Sequence, residues 1–279
     1  MTARNILCVD LSNQAYKACH AFAGLTSEGR FTGGLYGFLV LIQKAARVIN
    51  ATDIVICQDT KPYLRSQMYP AYKSLRKEAQ DPDLAEAVRY SITLVRELLD
   101  IIGWPLWSVQ GFESDDLIAH VMRKYRHRYD LVVAMSNDSD LFQMFEFPNF
   151  AVYRGKKGLY TRDDYIEEWQ GMGTEQFLVA HALMGTHNEV EGIKGIGPVT
   201  ARDMVSHPFK LRAAREKHAA IIDRNMQLIK LPHDKLPYRT QIPPYTRSYH
   251  ERDLLRFCGR YDITLTQEMC SAFSKLGPK

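Results

Sequence analysis

Cysteine is scarce in this chain and unpaired in pattern: Cys8, Cys19, Cys57, Cys258 and Cys270 are odd in number and include no CxxC. That argues against a disulfide framework and against a thiolate zinc site, and makes buried thiols in a reducing compartment the simplest expectation. No apolar run is long enough to span a bilayer, and residues 1–5 lead straight into a strand, so neither a membrane span nor a signal peptide is expected. Nucleotide-fold signatures are missing as well: there is no GxGxxG, and no GKS or GKT follows the glycine-rich stretch. Charge of one sign is not in large excess, since 36 Lys and Arg face 32 Asp and Glu for a net +4. A hydrophobic content of 46% over 279 residues allows a large core, in one domain or one domain with an appendage. The expectation is a soluble, cytoplasmic globular protein without internal repeats.

What the chain does have is acid at the ends of its elements. The apolar run Ile6 to Val9 stops at Asp10, Ile54 to Cys57 leads to Asp59, and Leu131 to Met135 leads to Asp138 and Asp140. Runs of this kind, alternating with helical patterns, predict an α/β fold with a mostly parallel central sheet flanked by helices. In such sheets ligands gather outside the carboxyl ends of the strands. A second acidic group, Glu113, Asp115 and Asp116, opens an amphipathic helix, and Glu113 and Asp116 share one face of it. Each piece also has a local reading: a strand-end Asp serves as a turn, and an acid at a helix start serves as a cap. A cap needs only one acceptor, however, and the surplus carboxylates repel one another unless a cation neutralises them. Oxygen ligands with no Cys or His interleaved suit Mg²⁺ or Mn²⁺.

Two basic stretches complete the pattern. Lys61 to Lys77 interleaves cations with Tyr63, Tyr69 and Tyr72, which fits phosphate contacts with base stacking, or equally a solvated helix face whose tyrosines pack inward. Gly192 to Arg202 concentrates glycines before a helix, so that backbone N–H groups can approach a phosphate; the alternative is a plain interhelical loop. Phe209 to Leu231 reads as a helix basic on one side, residues 232–244 as a proline-rich linker, and Arg252 to Cys270 as a last packed segment.

Taken together these residues resemble the 5′-nuclease family, which includes flap endonucleases, bacteriophage 5′→3′ exonucleases and the 5′-nuclease domain of bacterial DNA polymerase I. The matching pieces are Val9-Asp10 with Thr32 to Phe38, Asp59 with Arg65, Tyr69 to Lys73 and Arg76, then Gly111 to Asp116, Asp138 to Asp140 and Gly192 to Ala201, in family order from about residue 6 to 230. The resemblance implies a PIN-like nuclease core over residues 1–180 with a helical arch or clamp at about 60–95. Residues 181–279 would carry a helix–three-turn–helix and C-terminal helices packed on the core. By the same match Asp10, Asp59, Glu113, Asp115, Asp116, Asp138 and Asp140 are metal ligands or outer-shell carboxylates, and Lys73 and Arg76 are catalytic. Arg65, Tyr72, Lys73, Arg76, Gly192, Lys194, Gly195, Gly197 and Thr200 would contact DNA, with a potassium ion at the 192–197 loop.

One departure stands out. The family carries two further aspartates ahead of its glycine loop, and here Thr186 and Asn188 occupy that stretch. The second of two divalent-ion sites is therefore expected to be weakened. The implied activity is a 5′→3′ exonuclease or flap endonuclease acting in replication or repair on DNA with a 5′ end or flap. The implied protein is a monomer that works beside a polymerase or single-strand binding protein. A branched-DNA binding protein with degenerate catalysis and an RNase acting on RNA primers are the alternatives.

Overall fold

The computed structural model describes residues 3–73, 81–186 and 190–277. The aliphatic runs become one six-stranded sheet: β1 (Asn5–Asp10), β2 (Asp53–Cys57), β3 (Leu106–Trp107), β4 (Leu131–Met135), β5 (Phe150–Tyr153) and β6 (Leu159–Tyr160). Their spatial order is β3-β2-β1-β4-β5-β6, parallel except for β6. The chain fills one side of β1 first and then crosses to the other, so the strand order reverses between β1 and β4. That reversal opens a crevice at the carboxyl ends of the two strands.

Continuous apolar strands are buried on both faces. Ile6, Cys8, Val55, Cys57, Val132 and Ala134 point into one core, and their neighbours Leu7, Val9, Ile54, Ile56, Val133 and Met135 into the other. The first face is covered by α5 (Ser114–Tyr125), α6 (Arg162–Glu168), α7 (Thr174–Met184), α8 (Pro198–Ser206) and α9 (Pro208–Ile229). The second is covered by α1 (Leu11–Ala21), α2 (Gly33–Val48), α4 (Pro82–Ile102), α10 (Glu251–Gly259) and α11 (Gln267–Phe273). A short α3 (Leu64–Met68) stands above the carboxyl ends. All five cysteines are free and buried, and no helix among the described residues is long and apolar enough to cross a membrane.

The arch expected at about 60–95 falls in part on residues 74–80, with Arg76, which lie outside the described residues. Asp81 caps α4 and Pro82 opens it, and from Ser91 onward its apolar face is buried. That part of α4 belongs to the second core. Residues 181–277 do not form a separate unit: α8 and α9 share a core with α5, and α10 and α11 share one with α1 and α2.

The glycines of Thr32 to Phe38 serve packing. An added Cβ at Gly34 would run into the Ser91 side chain of α4 and come within 2.9 Å of Cys19 Sγ on α1, so three helices meet where only hydrogen fits. Replacing a helical glycine by alanine ordinarily stabilises. Here the contact reverses the sign: Gly34→Ala should lower stability in urea by about 1–3 kcal/mol, and the further change Ser91→Gly should recover most of it. A Gly34→Ala protein more stable than its parent would show that the helices do not meet this closely.

Candidate active site

The strand-end aspartates converge at the crevice, and each spends part of itself on local structure. Asp10 ends β1 and caps α1, its Oδ1 accepting from the Asn13 N–H at 3.0 Å. Asp59, past β2, accepts from the Ser114 N–H at 2.7 Å and so holds the start of α5. Asp138, past β4, accepts from the Asp140 N–H at 2.8 Å. Ser136 links two of them, donating from Oγ to Asp10 Oδ2 at 2.9 Å and accepting from the Asp138 N–H at 3.2 Å. Both local readings of these residues are therefore correct as far as they go.

Magnitude shows why capping is not the whole account. Burial, then the nearby Asp59 charge, pushes the Asp10 carboxyl up to about 7. At about 1.4 kcal/mol per unit, keeping it ionised costs on the order of 4 kcal/mol, against roughly 1 kcal/mol for a cap. Asp115, on the first turn of α5, is held well above the usual carboxylate range by burial, then by Asp138 and Asp10, with Lys73 opposing and Asp59 adding. Its Oδ1 is buried and has no hydrogen-bond partner among the described residues. Asp10, Asp59, Asp115 and Asp138 thus form one mutually repelling set, poorly compensated by the chain itself.

Glu113 and Asp116 belong to a different arrangement, centred on Arg65. Arg65, from α3, is buried and fully engaged. Its Nη1 and Nη2 donate to Asp116 at 2.6 and 2.8 Å, Nη1 also reaches Glu113 Oε2 at 3.1 Å, and Nε and Nη2 donate to the Leu228 and Lys230 carbonyls at the end of α9. Asp116 also accepts from the His233 and Glu113 N–H groups, at 2.8 and 3.2 Å. Burial would raise this carboxyl, but Arg65 and the N–H donors hold it below its usual range. Asp116 is consequently engaged in an internal ion pair, which leaves it the outer-shell place among the expected carboxylates, and Arg65 is a buried tie between α3, α5 and α9. Tyr72 is also buried, its hydroxyl donating to Glu113 Oε2 at 3.0 Å, so this ring packs inward.

Lys73 lies at the border of the two sets. It follows α3 in a turn with φ +57°, not on a helix, and its ammonium pairs with Glu113 Oε1 beside the rings of Tyr63 and Tyr72. It also acts electrostatically on Asp115, which puts a cation at the edge of the acidic cluster. Asp140 follows Asp138 on the first turn of the 3₁₀ segment Ser139–Glu146.

The glycine loop is exposed at Lys194, Gly195, Gly197 and Thr200, and Ile193 anchors it by donating its N–H to the Leu183 carbonyl at 2.8 Å. Gly195 has φ +85° with open space around it, whereas Gly192 is pressed against the Met184 backbone and serves packing rather than a ligand. Thr186 sits in a two-residue strand paired with Val190, its hydroxyl buried and unpartnered among the described residues. Asn188 and His187 lie outside those residues.

Two contributors escaped the sequence reading. Ser136 is flanked by more conspicuous acids, and nothing in its sequence position reveals that it bridges two strands. Lys17 lies two turns along α1 from Asp10; burial lowers its ammonium to about 8 while Asp10 draws it up, so it is a second cation facing the cluster. An i, i+7 count from Asp10 could have found it.

Among the described residues no three acidic, histidine or cysteine side chains close into a metal cage by themselves. The donor set still fits a hard divalent cation, because the orphaned Asp115 oxygen and the repelling carboxylates all offer oxygen.

A doubly wound α/β sheet with such a cluster at its switch point defines an acidic-site α/β protein. The chain belongs to the 5′-3′ exonuclease family, whose N-terminal resolvase-like domain model matches residues 5–170. Among its relatives is the thermostable DNA polymerase I of Thermus aquaticus, 29% identical over 251 residues that cover 85% of this chain and 29% of that protein. A 5′-3′ exonuclease of Aquifex aeolicus is 28% identical over 201 residues, covering 71% of this chain and 68% of that one. The chain spans less than a third of the length of the polymerase relatives. In structure it is similar to the phage T5 D15 protein crystallised with metal ions, with a TM-score of 0.67 at 19% identity over 98% of this chain and 97% of that one. It is also similar to flap endonuclease-1 from Methanococcus jannaschii, with a TM-score of 0.61 at 16% identity over 98% and 91%.

The raised Asp10 carboxyl predicts a pH signature. The folded protein binds this proton more tightly than the unfolded chain, so the contribution of Asp10 to stability is intact below about pH 3.9 and lost as pH rises through about 7. Without divalent cations, Asp10→Asn should melt at least about 3 °C above its parent at pH 8, and the gain should vanish by about pH 4. A variant that melts lower at pH 8 would contradict the repulsion.

Proposed function

We propose that the chain hydrolyses DNA phosphodiesters at 5′ ends and flaps, as a metal-dependent 5′→3′ exonuclease or flap endonuclease. One observation supports this above the others: four neighbouring carboxylates at the switch point, with one Asp115 oxygen buried and unpartnered among the described residues. Asp10, Asp59, Asp115 and Asp138 would hold Mg²⁺ or Mn²⁺, which when bound supplies Lewis acidity toward a phosphodiester.

The chain's own residues supply the rest. Lys73 is poised to exchange Glu113 for a substrate phosphate and stabilise charge developing there. Glu113 keeps Arg65 and Tyr72 after that exchange, so no buried charge is left alone. Lys17 adds positive charge from α1. Beyond the crevice, the 192–197 loop, exposed at Lys194, Gly195 and Gly197, and the N–H groups of Val199 and Thr200 at the start of α8 grip the duplex backbone, and the loop carbonyls take a potassium ion. A replication polymerase or single-strand binding protein is the partner that such a 5′ nuclease serves.

The test is cleavage of a 5′-labelled flap duplex across Mg²⁺ and Mn²⁺ concentrations. Metal-dependent products lost in Asp138→Ala support the nuclease, and Lys73→Ala should slow turnover by about 10²- to 10³-fold. Tight flap binding without product at any metal concentration would instead leave a branched-DNA binding protein, and a preference for RNA flaps would make it an RNase. Thr186 leaves a second ion to Asp138 and Asp140. Thr186→Asp should therefore lower the metal concentration that half-saturates cleavage, and an unchanged titration would remove that role for position 186.

A further inference from the structure

The first half of α9 leaves most of its side chains exposed to solvent. Within Pro208–Lys217 only Leu211 and Ala214 turn inward, and the helix breaks at His218, whose φ of −131° is not helical. Phe209, at the tip, is 89% exposed. At 3.6 residues per turn Phe209, Ala213 and Glu216 share the outward strip, with Lys210 and Lys217 along one flank and Arg212 and Arg215 along the other. Four cations thus stand against one carboxylate, Glu216, which pairs with Arg212 at 3.0 Å.

The arm continues the surface already proposed for the duplex. Lys210 pairs with Asp203 of α8 at 2.6 Å. Asp203 lies one turn from Val199, which is 85% exposed beside the glycine loop. The loop, the outward face of α8 and the arm therefore border one another. Surface pairs of this kind are worth little, and polyanion binding releases them readily.

We infer that residues 208–217 form a second grip on duplex DNA, with Phe209 set against deoxyribose and base edges and the flanking cations on phosphates of the two strands. This rests on the nuclease reading and names a substrate contact that the acidic site does not supply. Duplex DNA suits the strip because four cations against one carboxylate within ten residues complement a line of phosphates, and an apolar tip between cations is how side chains enter a groove.

The test is duplex affinity by fluorescence anisotropy in EDTA, with a 5′-flap substrate carrying about two helical turns of duplex, across salt concentration. Phe209→Ala should weaken binding by about 5- to 20-fold, as for loss of one aromatic contact, and Phe209→Trp should restore it. Arg215→Ala with Lys217→Ala should lower the slope of log affinity against log salt by about 1.8, for two phosphates lost. Each variant should keep the parent's melting temperature, since all three side chains are exposed. Parent-like affinity and slope in the variants, while the parent protein binds and cleaves flaps, would overturn the arm and leave the nuclease reading standing. A parent that neither binds nor cleaves flaps would overturn both.

Discussion

Like-charge repulsion at the carboxyl ends of β1, β2 and β4 is the constraint on which the rest of this structure depends. Asp10, Asp59, Asp115 and Asp138 are brought together by the reversal of strand order and by α5 crossing above it. Their repulsion exceeds what capping returns, so the two cores and the helices behind the sheet must supply the stability that holds them close. Long apolar strands buried on both faces, with helices seated on glycines, are a framework stiff enough to do so. Stability spent in this way is characteristic of functional sites.

Arg65 shows how the strain is contained. One guanidinium neutralises Asp116 and part of Glu113 while donating to two carbonyls at the end of α9, so the start of α5, the segment leading to Lys73 and the end of α9 share a single buried hub. Arginine's planar, always-charged fork suits that task, and a lysine could not make the same bonds. Removing the guanidinium would leave Asp116 buried and unpaired, a loss on the order of 3–5 kcal/mol. The two acidic groups that look alike in sequence therefore have opposite economies: one is neutralised internally, the other is left seeking a cation.

Much of this was legible in the sequence because buried parallel strands write themselves as continuous apolar runs. Ile6 to Asp10, Ile54 to Asp59 and Leu131 to Asp138 placed three of the four neighbouring carboxylates without any coordinates. Asp115 and Asp116 could not be told apart, because adjacent helical positions diverge by about 100° and only packing decides which of them meets Arg65. The burial of Arg65 and Tyr72 was left open for a related reason: a cation and a tyrosine in a basic stretch look available to DNA until long-range partners, here Glu113 and Leu228, are known. Ser136, Lys17 and the exposed arm ending at Phe209 carry no local signal as strong as an acidic pair. Their roles arise from contacts, or from the lack of them, between elements far apart in the chain.

The most direct test of the central claim is the melting temperature at pH 8 with and without Mg²⁺, compared between the parent protein and Asp115→Asn. If the coupled carboxylates form a cation site, Mg²⁺ raises the parent's midpoint by several degrees. The variant is then more stable than the parent without metal and responds weakly to it. Equal Mg²⁺ responses in the two proteins, or a variant less stable than the parent without metal, would mean that the acids are held for their local hydrogen bonds alone.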